Sequence, residues 1–304
     1  PFGQPVSMSY YQKEEMAFFE MASLVGLGSI PAEKRNPLEL ETRGIGELIL
    51  QLVDQGVKTI CVGIGGSATN DGGIGMAAGL GVDFYDEQGH LLRPVGASLG
   101  RVARIDTSAV PKALEDIDLQ VLTDVTNPLC GSQGATYIFG GQKGLNPLLF
   151  PAVDQAMQDF YQLADARILS MPGAGAGGGM AAGLVAFAGG QISSGIEKSL
   201  DLIDFDHKVQ KADLVVVGEG RMDLQSLSGK APVGVAKRTP EKIPVIAICG
   251  SLAEDLPAFP SHHIEAAFSI VPVPCEVADA LAHAERNLIS CARNIGNLLK
   301  MKAN

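Results

Sequence analysis

The densest group of residues able to bind a small ligand covers positions 65 to 73 and reads Gly-Gly-Ser-Ala-Thr-Asn-Asp-Gly-Gly. Glycines let a backbone approach an anion closely, and hydroxyl and amide groups add neutral hydrogen bonds. A carboxylate in such a loop can serve a metal ion or a hydroxyl group, which makes Asp71 a candidate catalytic residue. The candidate substrate-binding residues here are Gly65, Gly66, Ser67, Thr69 and Asn70. The alternative is an Asx-rich turn that caps the next helix.

A second candidate site is a charged cluster that follows another apolar run. Carboxylates bind Mg²⁺, an arginine can bind phosphate oxygens through two parallel hydrogen bonds, and a lysine supplies a point charge. We therefore predict that Asp223 and Glu219 bind a metal ion, and that Asp223, Arg221 and Lys230 are catalytic. The loop is not a Walker A motif, because a leucine stands where its first glycine would be. The alternative is a plain ion pair between Glu219 and Arg221.

Several further positions follow apolar runs and extend these two sites. The candidate cofactor-binding residues, most of them glycines, are Gly218, Glu219, Gly220, Gly229, Gly250 and Ser251. Asp124 and Asn127 follow a separate run with a spacing that lets both face one crevice, so we predict that they bind substrate. The glycine- and alanine-rich run 173–183 has two interpretations, a close helix contact or an anion-binding loop.

The first glycine-rich loop also matches a dinucleotide-binding fingerprint. Gly63, Gly65 and Ala68 give the pattern G-x-G-x-x-A, and Asp86 follows at about the distance expected for a ribose contact. The fingerprint expects a helix to begin at once, whereas the residues up to Gly73 are poor helix formers. An NAD-linked oxidoreductase is therefore the runner-up hypothesis.

The elements that must position these residues are apolar runs alternating with amphipathic helices. The runs lack polar alternation, which is typical of parallel strands covered on both faces. The predicted strands are 57–64, 119–123, 214–217, 245–249 and 267–271, and the predicted helices are 44–56, a segment from 74, and 276–300. A hairpin with strands at 6–11 and 16–21 is predicted near the start. This alternation predicts an α/β protein, in which ligands bind at the carboxyl ends of the strands.

The texture of the sequence changes near Leu200. Long glycine-rich loops precede this position, and regular strand–helix units follow it. The change predicts a boundary near this position between two α/β domains with mainly parallel sheets.

Composition limits the classes of partner. The 304 residues include 23 basic and 34 acidic side chains, for a net charge of −11, and no stretch interleaves basic with aromatic residues. A nucleic-acid partner is therefore not expected, and neither is an anionic membrane surface. The five cysteines form no C-x-x-C pair, and no apolar run is long enough to span a bilayer. We expect a cytoplasmic protein that acts on small molecules.

Taken in order along the chain, these motifs resemble the type-1 glycerate kinases of bacteria. The segments that carry the resemblance span nearly the whole chain and are 35–38, 42–49, 63–73, 124–131, 194–197, 218–223, 229–236 and 250–252. The family's usual opening, a strand that ends in Asp-Ser-Phe-Lys, has no counterpart here. We therefore expect that a segment before Pro1 is missing.

The resemblance implies a kinase that transfers the γ-phosphoryl group of ATP to glycerate, with Mg²⁺ as cofactor. The product would be 2-phosphoglycerate, with 3-phosphoglycerate as the alternative. One Rossmann-like domain would be split in sequence, with residues 201–304 as its second part and residues 1–200 as an inserted domain. The strand ends near Ile64, Asp124 and Val217 would open onto a shared cleft. A non-catalytic small-acid binding protein, independent of nucleotide and metal, is the third hypothesis.

Overall fold

The structure, a computed structural model, describes residues 1–227 and 230–302. It is an α/β protein with mainly parallel sheets, as the sequence predicts. The chain divides into two compact units, Pro1–Gly195 and Ile196–Asn304. We call them unit 1 and unit 2. The assignment of these parts to an inserted domain and to half of a split domain stays a prediction, as does the shared cleft.

Unit 1 contains a five-stranded sheet and a separate strand pair. The strands of this unit are β1 (Tyr11–Lys13), β2 (Met16–Glu20), β3 (Thr59–Gly63), β4 (Asp83–Tyr85), β5 (Arg104–Asp106), β6 (Asp118–Leu122) and β7 (Gln191–Ser193). The sheet order is β1-β2-β3-β6-β7, and β4 pairs with β5. Strands β2, β3, β6 and β7 are parallel, so their carboxyl ends lie at one edge of the sheet.

The predicted hairpin is confirmed, because β1 and β2 pair in antiparallel register. Its first strand begins later than predicted, at Tyr11, and the preceding residues are irregular and largely exposed. An irregular exposed segment and a short edge strand have the same alternation of polar and apolar residues. The sequence pattern alone therefore could not show where the first strand begins.

Unit 1 contains the following α-helices, some of which share a core with one face of the sheet. They are α1 (Ala22–Val25), α2 (Arg43–Asp54), α3 (Ile74–Gly79), α4 (Ala135–Phe139), α5 (Phe150–Ala164) and α6 (Ala176–Ala188). The predicted apolar face of α2 is confirmed: Ile45, Ile49 and Leu52 are buried in one core with Phe19 of β2 and Val62 of β3. Because side chains alternate along a strand, Glu20 at the end of β2 points to the opposite face from Phe19.

Short 3₁₀ helices connect the larger elements of unit 1. They are Leu27–Ser29, Ala32–Lys34, Gly96–Arg101, Lys112–Asp116, Gly141–Lys143, Pro147–Leu149 and Ala166–Ser170.

Unit 2 contains a three-stranded parallel sheet in the order β12-β10-β8, and a two-stranded parallel extension formed by β9 and β11. Its strands are β8 (Val215–Val217), β9 (Arg221–Met222), β10 (Val245–Cys249), β11 (Ser251–Leu252) and β12 (Ala266–Ser269). Its helices are α7 (Gly195–Leu202), α8 (Phe205–Val209), α9 (Leu224–Leu227), α10 (Ala231–Arg238), α11 (Val277–Ala282) and α12 (Ala284–Lys302).

The long terminal helix predicted for 276–300 is instead two helices, α11 and α12, because His283 leaves helical backbone geometry (φ −109°, ψ 9°). The apolar spacing runs across this residue without a change, so the sequence pattern carries no signal of the break. None of the helices that the structure describes is long and apolar enough to cross a membrane.

Candidate active site

The first glycine-rich loop leaves β3 at the carboxyl edge of the unit 1 sheet. Only its beginning faces solvent: Gly65 and Gly66 are exposed, and a Cβ at Gly65 would meet no atom within 4 Å. The loop then turns inward beside α1, where the Ala68 amide donates to the carbonyl of Val25 at 2.9 Å. The part of the loop that a ligand can reach is therefore bare backbone.

The polar side chains of the same loop lie in the interior. Thr69, Asn70 and Asp71 have no exposed surface, and Ser67 is 5% exposed. The Asn70 side-chain amide donates to Thr136 Oγ1 at 3.0 Å. Within the described part of the chain, Thr69 Oγ1 and Asn70 Oδ1 are buried without a hydrogen-bond partner. Unpaired buried oxygens are costly, so these two atoms mark the least satisfied part of the loop. Substrate contact by these side chains stays a prediction.

Asp71 organises the start of α3. Its carboxylate accepts hydrogen bonds from Thr42 Oγ1 at 2.6 Å, from the Gly73 amide at 3.1 Å and from the Gly75 amide at 3.4 Å. Burial raises the pKa of its carboxyl above the ordinary value, and these hydrogen bonds with the charge of Lys143 oppose that rise. These contacts match the alternative named from the sequence, a cap for the next helix, and catalysis by Asp71 stays a prediction.

Sequence reasoning missed Lys143, which lies beneath the loop. Its ammonium donates to Ser67 Oγ at 2.8 Å and to the Thr69 carbonyl at 2.7 Å, and only 3% of the residue is exposed. Burial lowers the pKa of Lys143 to about 8, while the nearby charge of Asp71 acts in the opposite direction. The available signal was its setting, Gly-Gly-Gln-Lys-Gly, in which a charged residue stands among glycines.

The glycine-rich run 173–183 makes a close helix contact with the loop. Three glycines in the first turn of α6, Gly177, Gly178 and Gly179, have left-handed backbone. A Cβ at Gly178 would overlap the carbonyl of Thr69, and the Gly178 carbonyl accepts the Gly72 amide at 3.0 Å. Of the two interpretations of this run, the close contact is the one observed for Gly178.

Two strand ends beside the loop carry carboxylates. Asp124, after β6, is exposed and accepts a hydrogen bond from Ser194 Oγ at 3.3 Å. Glu20 ends β2 beside Gly63 and was not singled out from the sequence. Asn127 turns toward its own loop, since its side-chain amide donates to the Gln133 carbonyl at 2.9 Å.

In unit 2, the loop after β8 is held by backbone pairing with the loop after β10. The Gly250 amide donates to the Glu219 carbonyl and the Ser251 amide to the Gly220 carbonyl, each at 3.0 Å. A Cβ at Gly250 would overlap the Gly220 carbonyl, and one at Gly218 would overlap a carbonyl of β10. The close approach of two backbones therefore explains Gly218 and Gly250, and the amides of Gly250 and Ser251 are already occupied.

The charged side chains of this loop have different settings. No ion pair joins Glu219 to Arg221 in the described residues, and Arg221 is exposed. Asp223 Oδ1 accepts the Ser226 amide at 3.0 Å, at the start of α9. Lys230 stands immediately before α10 with its side chain partly exposed. The predicted nucleotide contact at Gly229 lies outside the described residues.

The Glu219 carboxylate of this loop is suited to a magnesium ion. Glu219 Oε1 is buried without a hydrogen-bond partner among the described residues, as an oxygen reserved for a cation would be. The described residues contain no group of three His, Cys, Asp or Glu side chains suited to a metal. Mg²⁺ commonly binds through one or two carboxylates together with phosphate oxygens and water, so a full protein cage is not required.

A cavity of about 1130 Å³ opens beside the same loops. This is close to the upper end of small-molecule sites, which commonly measure about 300–1000 Å³. Its apolar wall includes Val217, Ile248, Val277, Leu281 and Leu288. Val277 and Leu281 are 74% and 71% exposed. An apolar wall next to glycine-rich loops suits a planar base attached to phosphates.

The sequence matches the model of the glycerate kinase family over residues 1–300. The chain belongs to this family. It is 58% identical over 301 residues to the glycerate kinase of Neisseria meningitidis serogroup B, covering 99% of this chain and 81% of the relative. It is 40% identical to the glycerate 2-kinase of Escherichia coli K12, covering 98% and 80%. A crystal structure from Salmonella typhimurium LT2, provisionally called glycerate kinase 2, aligns with a TM-score of 0.77 at 40% identity, covering 95% of this chain and 77% of that one.

The family assignment does not favour the oxidoreductase or the binding protein. The local geometry also speaks against the dinucleotide fingerprint. Asp86, its predicted ribose ligand, accepts the amides of Gln88 and His90 and pairs with Arg101. The helix after the loop begins only at Ile74, well beyond the position that the fingerprint requires.

Proposed function

We propose that this protein is an ATP-dependent kinase that phosphorylates a hydroxyl of glycerate. The observation that carries the proposal is the family match over residues 1–300, together with 58% identity to a protein named glycerate kinase. This similarity extends over 99% of the chain, which therefore shares the fold of the family. The finer proposal is 2-phosphoglycerate as the product, supported by 40% identity to a protein named glycerate 2-kinase.

We assign the nucleotide to unit 2. The apolar wall of the cavity would contact the base, and Arg221 and Lys230 would contact phosphates. Glu219 and Asp223 would hold Mg²⁺, which supplies charge neutralisation on the phosphate oxygens when it is bound. Lys230 precedes α10, an eight-residue helix whose first amides add to the favourable field for an anion.

We assign the acid to the exposed backbone of Gly65 and Gly66 in unit 1. Small anions are commonly bound by backbone amides in glycine-rich loops, and no Cβ blocks the approach at either position. The interior network of Ser67, Asp71 and Lys143 would fix the loop in one conformation before the ligand arrives. Phosphoryl transfer depends mainly on positioning and charge stabilisation, so a rigid loop contributes directly to the rate.

The test is a coupled assay that follows ADP formation with ATP, Mg²⁺ and glycerate, with the product identified by ³¹P NMR. We expect ADP and 2-phosphoglycerate in equal amounts. Two acids serve as matched controls: 3-hydroxypropionate lacks the 2-hydroxyl and lactate lacks the 3-hydroxyl. Turnover of 3-hydroxypropionate but not lactate would assign the 3-hydroxyl instead. Absence of ADP formation with glycerate, in a protein shown to bind MgATP, would contradict the kinase proposal.

A further inference from the structure

A single glycine gives the carboxylate of Glu20 its position. Glu20, the last residue of β2, is paired in register with Gly63, the last residue of β3. A Cβ at Gly63 would overlap both carboxylate oxygens of Glu20. Gly63 does not have left-handed backbone, so its conformation does not by itself require glycine. The carboxylate therefore lies over the backbone of Gly63, in space that any other residue would occupy.

Glu20 differs from the other carboxylates near this edge. Asp71 accepts hydrogen bonds from Thr42, Gly73 and Gly75, and Asp124 accepts a hydrogen bond from Ser194. No hydrogen bond or ion pair reaches the Glu20 carboxylate from the described residues. Its side chain stays open to solvent, while partial desolvation by the surrounding atoms raises the pKa of its carboxyl. An unpaired carboxylate with a raised pKa is suited to accept a proton.

The space beside Glu20 is where a small acid can sit. Gly65 is two residues beyond Gly63, so their Cα atoms are at most about 7 Å apart. Gly65 faces open space, and a Cβ at Gly66 would be 3.6 Å from Cβ of Ala22, the first residue of α1. A three-carbon hydroxy acid bound to the backbone of Gly65 and Gly66 is long enough to bring a hydroxyl to the Glu20 carboxylate.

We propose that Glu20 is a catalytic residue that accepts the proton of the attacking hydroxyl of the acid. A bond forms between the hydroxyl oxygen and the γ-phosphorus of ATP, and the bond from that phosphorus to the bridging oxygen breaks. The electron pair of the broken bond stays on ADP, and the hydroxyl proton moves to a Glu20 carboxylate oxygen. The inference rests on the proposed function and assigns the base to Glu20 rather than to Asp223 or Asp71.

The first test compares Glu20→Gln with Glu15→Gln. Glu15 immediately precedes β2 and Glu20 is its last residue, so the two glutamates lie at opposite ends of this strand. The side chain of Glu15 is exposed. We expect E20Q to lower kcat by about a hundredfold or more, the usual loss of a general base. KM for both substrates and the melting temperature should stay close to those of the wild type, and E15Q should retain wild-type kcat.

The second test moves the carboxylate without removing it. Gly63→Ala should displace the flexible end of Glu20 and lower kcat, with the fold retained. In the double variant E20Q/G63A the second substitution should add little to the loss, because both remove the same proton acceptor. Losses that multiply in the double variant would contradict a shared cause.

The third test is the pH profile of kcat/KM. A base must be deprotonated, so wild-type activity should fall as the pH drops through the raised pKa of Glu20, and E20Q should lack that limb. The control variant Glu15→Gln, whose carboxylate lies away from this edge, should keep the limb. A kcat of E20Q within threefold of the wild type would overturn the assignment, as would recovery of E20Q by excess Mg²⁺, which indicates a metal ligand. Failure of the wild type to phosphorylate glycerate would instead count against the proposed function.

Discussion

The two glycine-rich loops look alike in sequence and are built differently. The loop after β3 is enclosed: Lys143 donates to it from below, α6 contacts it through Gly178, and Tyr161 of α5 donates to the Gly72 carbonyl at 2.6 Å. The loop after β8 is held mainly by backbone pairing with one neighbouring loop, and its Arg221 side chain stays exposed. Polar residues at a strand end become scaffold where several elements pack against them, and stay available to ligands where few do.

The largest effect should come from removing the centre of the enclosed network. Asp71→Ala deprives Thr42 and the amides of Gly73 and Gly75 of their acceptor and leaves Lys143 buried without its nearby charge. We expect the free energy of unfolding to fall by about 3 to 5 kcal/mol, as when a buried pair is broken. Urea denaturation measures it.

Asp154→Ala is the control for this change. Asp154 also accepts a backbone amide, that of Gly131 at 2.9 Å, but in a more exposed setting. The control should cost less than about 1 kcal/mol. Equal losses in the two variants would mean that the enclosed loop is not a special scaffold.

The second prediction concerns pH. Lys143 has a pKa of about 8 in the folded protein against an ordinary value of 10.5. Between these values the unfolded chain binds more protons than the folded protein, so the free energy of unfolding should rise with pH. Over the whole interval, the free energy of unfolding should rise by about 3 kcal/mol because of the buried Lys143.

The measurement is the difference in unfolding free energy between the wild type and Lys143→Met from pH 7.5 to 10. The variant cannot titrate at this position, and Tyr161, whose burial raises the pKa of its hydroxyl, is present in both proteins. A difference that stays flat across this range would show that folding does not lower the pKa of Lys143.

A smaller effect is expected from Gly178→Ala, which tests the contact between α6 and the loop. Left-handed backbone costs an alanine about 1 to 2 kcal/mol, and the overlap of its Cβ with the Thr69 carbonyl adds to this. Gly189→Ala, at the other end of α6, has left-handed backbone but open space around it, so only the first cost applies. Thermal unfolding of the pair isolates the contact, and equal melting temperatures would contradict it.

The smallest effect is expected in unit 2, where it tests whether the loop after β8 is available to a ligand. Glu219→Gln should raise the Mg²⁺ concentration for half-maximal activity by about tenfold, because the buried unpaired oxygen loses its full charge. Glu241→Gln, exposed in the same unit, should leave the requirement unchanged. The melting temperature should change little in both. A lower kcat at an unchanged Mg²⁺ requirement would separate Glu219 from the metal.

Much of the fold could be predicted because its signals are local. The strand 245–249 is observed with the predicted bounds, and the helix predicted from Ile74 begins at that residue. Continuous apolar runs and helical spacing report which faces are buried, and the alternation of strands and helices limits the connections that are possible. The break at His283 left no such signal.

The sequence by itself determined the α/β alternation, the hairpin and the positions of both glycine-rich loops after strands. Only the tertiary structure decided which loop residues are exposed and which are buried. Lys143 reaches Ser67 across 76 positions of the chain, and Glu20 meets Gly63 only because β2 and β3 pair in register. Local periodicity reports whether a side chain is buried and not what it is buried against. The sequence pattern therefore did not reveal that Asp71 accepts amides at the start of α3, or that the Glu20 carboxylate lies against Gly63.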